Sequence, residues 1–109
     1  MGAQQFWALG RGANASKAFS AAVDAARHAH GHGGYTGSIA EKSDGFTVIR
    51  APAVEAIHVD DRRGRMTAAR RLADEMFEAD DPRIDDKWGP AGCIDIGAGE
   101  FLFFGWASS

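Results

Sequence analysis

Three groups of residues in this chain have types and spacing that suggest chemistry. They are a glycine-rich run, Gly31-His32-Gly33-Gly34-Tyr35-Thr36-Gly37-Ser38, an arginine block of Arg62, Arg63, Arg65, Arg70 and Arg71, and the histidines His28, His30, His32 and His58. The glycine run lacks the Gly-Lys-Ser/Thr ending of a phosphate loop, and it follows a helical pattern instead of a strand, so it is not a dinucleotide fingerprint. A glycine-rich loop that ends in a capped turn still offers free N–H groups to an anion. Tyr35 could stack on a base, with Thr36, Ser38 and Lys42 reaching phosphate. Arginine forks bind phosphate in a bidentate manner. Arg62, Arg63, Arg65 and Arg70 are the candidates, against the alternative that they pair with Asp60, Asp61, Asp74 and Glu75 on a solvated face.

The remaining candidates carry less. On a continuous helix His28 and His32 would share a face, as metal ligands do, but Gly31 and Gly33 interrupt it; a solvated helix terminus accounts for them better. Neighbouring acids such as Asp60-Asp61, Asp80-Asp81 and Asp85-Asp86 seldom converge on one ion, and the second pair precedes Pro82 in ordinary turn chemistry. Cys93 lies in an apolar strand and reads as an inert thiol. No Ser-His-Asp or Cys-His arrangement has local support. The sequence therefore predicts no catalytic residue, no metal site and no cofactor.

The elements that must position these residues follow from periodicity. Gln4 to Arg11 reads as a strand. After Asn14, a suitable N-cap, Ala15, Ala18, Phe19, Ala22, Val23, Ala26 and Ala29 recur at helical spacing until the glycines stop them. Ser38 and Glu41 have capping-box spacing, Asp44-Gly45 reads as a turn, and residues 46–49 as a strand with Pro52 ending it. Residues 54–59 read as a further extended piece. Thr67 caps a second helix, with Ala69, Leu72, Ala73, Met76 and Phe77 as its apolar face. Residues 83–92 form a loop, and residues 93–96 and 100–106 form a hairpin turning at Gly97-Ala98-Gly99. The predicted fold is α+β: a small antiparallel sheet of about four strands with two helices on one face, in the order β-α-β-α-β-β. The last strand is apolar on both sides, with Phe101 and Phe103 opposing Leu102, Phe104 and Trp106. Its second face is covered either by the loop 83–92 carrying Trp88 or by a second copy of the chain.

Composition bounds the reading. The chain has 109 residues, 45% of them apolar and 25% charged, as expected of one folded domain (residues 1–109) without disulfides, given the single cysteine. No apolar run is long enough for a membrane span, and no secretory signal is present, so a cytoplasmic setting is expected. Residues 60–86 hold six arginines against nine acids, and this segment alone carries the net charge of −3. Mild acidity argues against binding bulk duplex DNA, which needs a broad basic face.

Three segments together carry a resemblance: Gly31 to Lys42 (GHGGYTGSIAEK), Asp85 to Gly92 (DDKWGPAG) and Phe103 to Ser108 (FFGWAS). They resemble short proteins encoded by actinobacteria and their phages, a group with no assigned activity. The resemblance covers most of the chain and implies a cytosolic setting and a phage accessory role. Some small phage proteins of that kind inhibit host defence by sequestering nucleotide signals. The reading favoured by the residues is a non-enzymatic, homodimeric α+β protein binding an anionic, nucleotide-like ligand through Gly33, Gly34, Tyr35, Thr36, Ser38, Lys42, Arg62, Arg63, Arg65, Arg70 and Trp88. One alternative is an inhibitor or adaptor that binds a host protein through the aromatic sheet face. Another is a small hydrolase or isomerase using His32 or His58 with aspartate.

Overall fold

The computed structural model describes residues 2–31 and 36–109. Four strands form one sheet: β1 (Ala3–Arg11), β2 (Phe46–Val48), β3 (Ala91–Gly97) and β4 (Glu100–Ser108), in the spatial order β1-β4-β3-β2. Three helices accompany them: α1 (Ala15–His30), α2 (Pro52–Glu55) and α3 (Arg62–Glu78), with a single 3₁₀ turn at Ile39–Glu41. The α+β class, the strand count and the order of the main elements match the sequence reading. Among the described residues no helix is long and apolar enough to cross a membrane.

Two details of the sheet depart from expectation. It is mixed, because β2 runs parallel to β3 while β4 is antiparallel to both β3 and β1. The physical reason is the long β2–β3 connection, whose helices return the chain to its starting side, as a parallel pair requires. The helices also lie on opposite faces. Leu102, Phe104, Ile94 and Ile96 meet Ala69, Ala73, Met76 and Phe77 of α3, whereas Phe103, Cys93, Phe6 and Ala107 meet Ala18 and Ala22 of α1. A strand with two apolar faces needs a cover on each, and the chain supplies both. Trp106 is half-buried with its ring edge-on to Phe77 at 5.8 Å. The aromatic sheet face is therefore not free for a second copy or a protein partner. The loop 83–92 adds Ile84 to the cover of this face beside α3, whereas its Trp88 stays 52% exposed.

Local chemistry explains the element ends. Asn14 caps α1 by accepting from the Lys17 amide at 2.9 Å. α3 starts at Arg62, five residues before Thr67, because the Asp61 carboxylate accepts from the Gly64 amide at 3.0 Å. Gly64 suits this cap, since a Cβ there would run into that carboxylate. Residues 52–55 are helical instead of extended; Pro52 sits in the first turn, where its missing N–H costs nothing. The β3–β4 hairpin turns through Ala98 and Gly99, both at positive φ (54° and 78°).

Candidate functional site

The strand directions divide the described candidate residues between two opposite ends of the sheet. β1, β2 and β3 all run one way, so α1 and α3 both begin at the end where β1 and β3 finish. That end holds a charged cluster. Glu100 opens β4 with its side chain only 8% exposed. Arg62 donates to it through Nε at 2.6 Å and Nη2 at 2.9 Å, a bidentate fork. Arg11, the cross-strand partner of Glu100, places Nε 3.4 Å from the same carboxylate. The Arg62 hydrogen bonds, followed by the charges of Arg62 and Arg11, hold the Glu100 carboxyl below its usual range; the same contact raises the Arg62 guanidinium. Two guanidiniums share one carboxylate, leaving one positive charge in excess. The Arg11 side chain is 74% exposed and that of Arg62 51%.

The other arginines do different work. Arg65 donates to the carbonyls of Ile57 at 2.8 Å and Ile96 at 3.1 Å, tying α3 to the end of β3. Arg70 stacks its guanidinium 4.7 Å from the centre of the Trp7 ring. Arg63 is exposed on the first turn of α3 and makes no ion pair or hydrogen bond among the described residues. Of the arginine block, Arg62 and Arg63 thus face outward at the sheet end, while Arg65 and Arg70 serve packing.

Thr36, Gly37, Ser38 and Lys42 lie at the other end. Gly33, Gly34 and Tyr35, with His32, fall outside the described residues. Gly37 donates to Ser108 at the end of β4 (2.8 Å). Thr36 donates to Glu41 through its amide at 3.1 Å and its hydroxyl at 2.8 Å, and the Ser38 hydroxyl accepts from Ala40 at 3.3 Å. Lys42 is 3% exposed, and its ammonium donates to the carbonyls of Asp86 at 3.1 Å and Lys87 at 3.3 Å. Burial pushes its pKa down, against the opposing charges of Asp86 and Asp44. Lys87 lies over the Trp88 ring, 5.3 Å from its centre, and reaches the Gly2 carbonyl at 3.3 Å. The three segments that carry the resemblance therefore meet here, in a built structural junction. Thr36, Ser38 and Lys42 are already engaged by the chain itself, and Glu41, Asp44, Asp85 and Asp86 make this end acidic.

The two ends are the two ends of β4, about 27 Å apart at ~3.4 Å per residue. A single nucleotide cannot touch both the Trp88 end and Arg62, so Arg62 does not share a site with Thr36, Ser38 and Lys42. The sequence reading missed Arg11 and Glu100. Their signals were an arginine between Gly10 and Gly12 at the end of a strand, and a carboxylate leading an otherwise apolar strand. The Gly10-x-Gly12 spacing is not itself a phosphate cradle. A Cβ at Gly10 would run into the Ala18 carbonyl, one at Gly12 would lie 2.6 Å from the Ala18 nitrogen, and the Gly12 amide is bonded to Gly99. These glycines let α1 approach β1.

His58 is exposed, accepts from the Asp60 amide at 3.1 Å and lies 3.6 Å from the Asp60 carboxylate. Cys93 is buried on the α1 face and pushed up to about 12, first by desolvation and then by Asp95. Among the described residues no group of three His, Cys, Asp or Glu side chains is placed to hold a metal ion. No protein-family model matches the chain, and neither a curated protein nor a solved structure matches it.

Proposed function

We propose that the protein is a non-enzymatic binding protein for an anionic, nucleotide-like ligand, with the ligand's phosphate held at the carboxyl ends of β1 and β3. The observation that carries this reading is the Arg11–Glu100–Arg62 cluster. A buried carboxylate fixes the Arg62 guanidinium through a bidentate fork and draws the largely exposed Arg11 to 3.4 Å, leaving outer N–H groups of both in solvent. A fixed fork loses less freedom on binding phosphate than a mobile one. Arg63, exposed on the same first turn of α3, adds a cation, set against the carboxylates of Asp60 and Asp61 that precede the helix. In sheets with parallel strands, ligands favour the crevice outside the carboxyl ends. The polar contacts of the cluster involve arginine and glutamate alone, which suits binding more than turnover. The resemblance extends the reading to a cytoplasmic phage accessory protein that sequesters a host defence nucleotide.

The test is calorimetric titration at low salt with pyrophosphate, ATP and cyclic dinucleotides. Binding is expected, weakened about tenfold or more by Arg62→Ala and by Arg11→Ala, each loss being about 1.4 kcal/mol or more. Arg83→Ala, whose partner Asp81 lies elsewhere, should bind normally. Absence of heat with every ligand overturns the reading.

A further inference from the structure

We infer that the free edge of β1 pairs with the same edge of a second copy, in an antiparallel arrangement that joins two four-stranded sheets into one. Among the described residues β1, a nine-residue edge strand, pairs with β4 alone. Gly2 accepts from Ser109 and Gly12 donates to Gly99. The two-residue alternation of an antiparallel ladder therefore turns the even-numbered residues of β1 towards β4. Ala3, Gln5, Trp7, Leu9 and Arg11 turn their N–H and C=O groups outward, and none of these groups has a partner among the described residues. Exposed edges are usually protected by lysine, proline, a bulge or extreme shortness. β1 has none of these: its register with β4 is unbroken and its one charge is Arg11 at the end. The opposite edge, β2, is only three residues long.

The features of the edge suit a copy of itself. An antiparallel twofold pairs a strand with one of equal length and turns Arg11 towards the partner's first residues, around Ala3 and Gln5, so no like charges oppose each other. On the α1 side the edge borders a cavity of about 290 Å³, lined on β1 by Phe6 and Ala8 and on α1 by Ala22, Ala25 and Ala26, with His30 at the helix end. Leu9, 39% exposed, is apolar surface on the α3 side. A strip about 27 Å long and about two layers, or ~20 Å, deep buries roughly 1,100 Å² over both partners, close to the ~1,200 Å² lower bound of stable interfaces. The dimer should therefore be reversible and concentration-dependent.

Sedimentation equilibrium of the full chain, from micromolar to millimolar concentration, tests this. The wild type is expected to shift from monomer to dimer. Gln5→Pro removes an outward N–H without touching the β4 ladder, and Leu9→Lys places a charge on the edge. Each should weaken association at least about tenfold with an unchanged circular dichroism spectrum. Amide exchange at Gln5, Trp7 and Leu9 should slow as the wild type is concentrated. A wild type that stays monomeric, or a dimer that persists in both variants with those amides still exchanging, overturns the inference.

Discussion

Gly92 and Phe104 are cross-strand neighbours on the α3 face of the sheet, and the ring of Phe104 lies directly on the glycine. A Cβ at Gly92 would stand 2.6 Å from Cζ of Phe104 and 2.9 and 3.0 Å from its two Cε atoms. Ordinary carbon contacts need about 3.5–4.0 Å, so Gly92→Ala must push the ring outward by about 1 Å. The ring has no room to move. Phe104 is fully buried and meets Phe77 edge-on at 6.0 Å, and Phe77 in turn meets Trp7 at 5.4 Å. Forcing extra volume into such a core costs about 1–3 kcal/mol. For a domain of this size that lowers the melting temperature by roughly 5–15 °C. The assay is urea unfolding of Gly92→Ala, Phe104→Leu and the double variant. Phe104→Leu alone loses ring contacts, about 1–2 kcal/mol. It also removes the ring atoms that the added methyl group would strike, so the double variant should cost less than the sum by about 1 kcal/mol. A neutral Gly92→Ala, or a cycle additive to within about 0.3 kcal/mol, would refute the register and the stacking together.

Three further outcomes are expected. Glu100 and Asp81 both have folded pKa values below their unfolded ones, the latter at about 2 through its hydrogen bonds from Arg83; their stabilisation is complete above the ordinary carboxylate range and is lost as pH falls through the folded values, so melting temperature should drop between about pH 5 and 2, and the drop should shrink in Glu100→Gln. Cys93, buried and raised to about 12, should resist a thiol reagent at neutral pH until the chain unfolds, which ultraviolet-monitored labelling in urea would show as a reaction following the unfolding curve. Ala98→Gly should stabilise the hairpin by about 1 kcal/mol in thermal melts, since Ala98 holds φ at 54° in the left-handed region, where a Cβ costs about 1–2 kcal/mol.

Much of the fold was legible because period and capping agree locally. The alanine spacing marks α1, and the two-sided apolarity of residues 101–106 correctly demands a cover on each face. The side of each helix was not legible. It depends on the direction in which β2 joins the sheet, and a three-residue strand carries too little pattern to reveal that. The start of α3 was hidden because Gly64 looks like a helix breaker until Asp61 is seen to fold over its amide. The site was only half legible. Arginine type and proximity to a helix start pointed to Arg62 and Arg63. The partner that fixes Arg62 is 38 residues away, a distance that no local pattern spans. Lys42 misled for the opposite reason: a lysine beside a glycine loop suggests phosphate, but burial against two carbonyls gives it a structural role.

The central claim is that an anion binds at the Arg11–Glu100–Arg62 end of the sheet and not at the Trp88 end. Amide chemical-shift mapping during a pyrophosphate titration at low salt tests it most directly. The expected result is saturable shifts confined to Arg11, Gly12, Arg62, Arg63 and the residues around Glu100, with saturation moved to about tenfold or higher pyrophosphate in Arg62→Ala. Shifts centred on Thr36 to Lys42 and Asp86 to Gly89, or none that saturate, would contradict it.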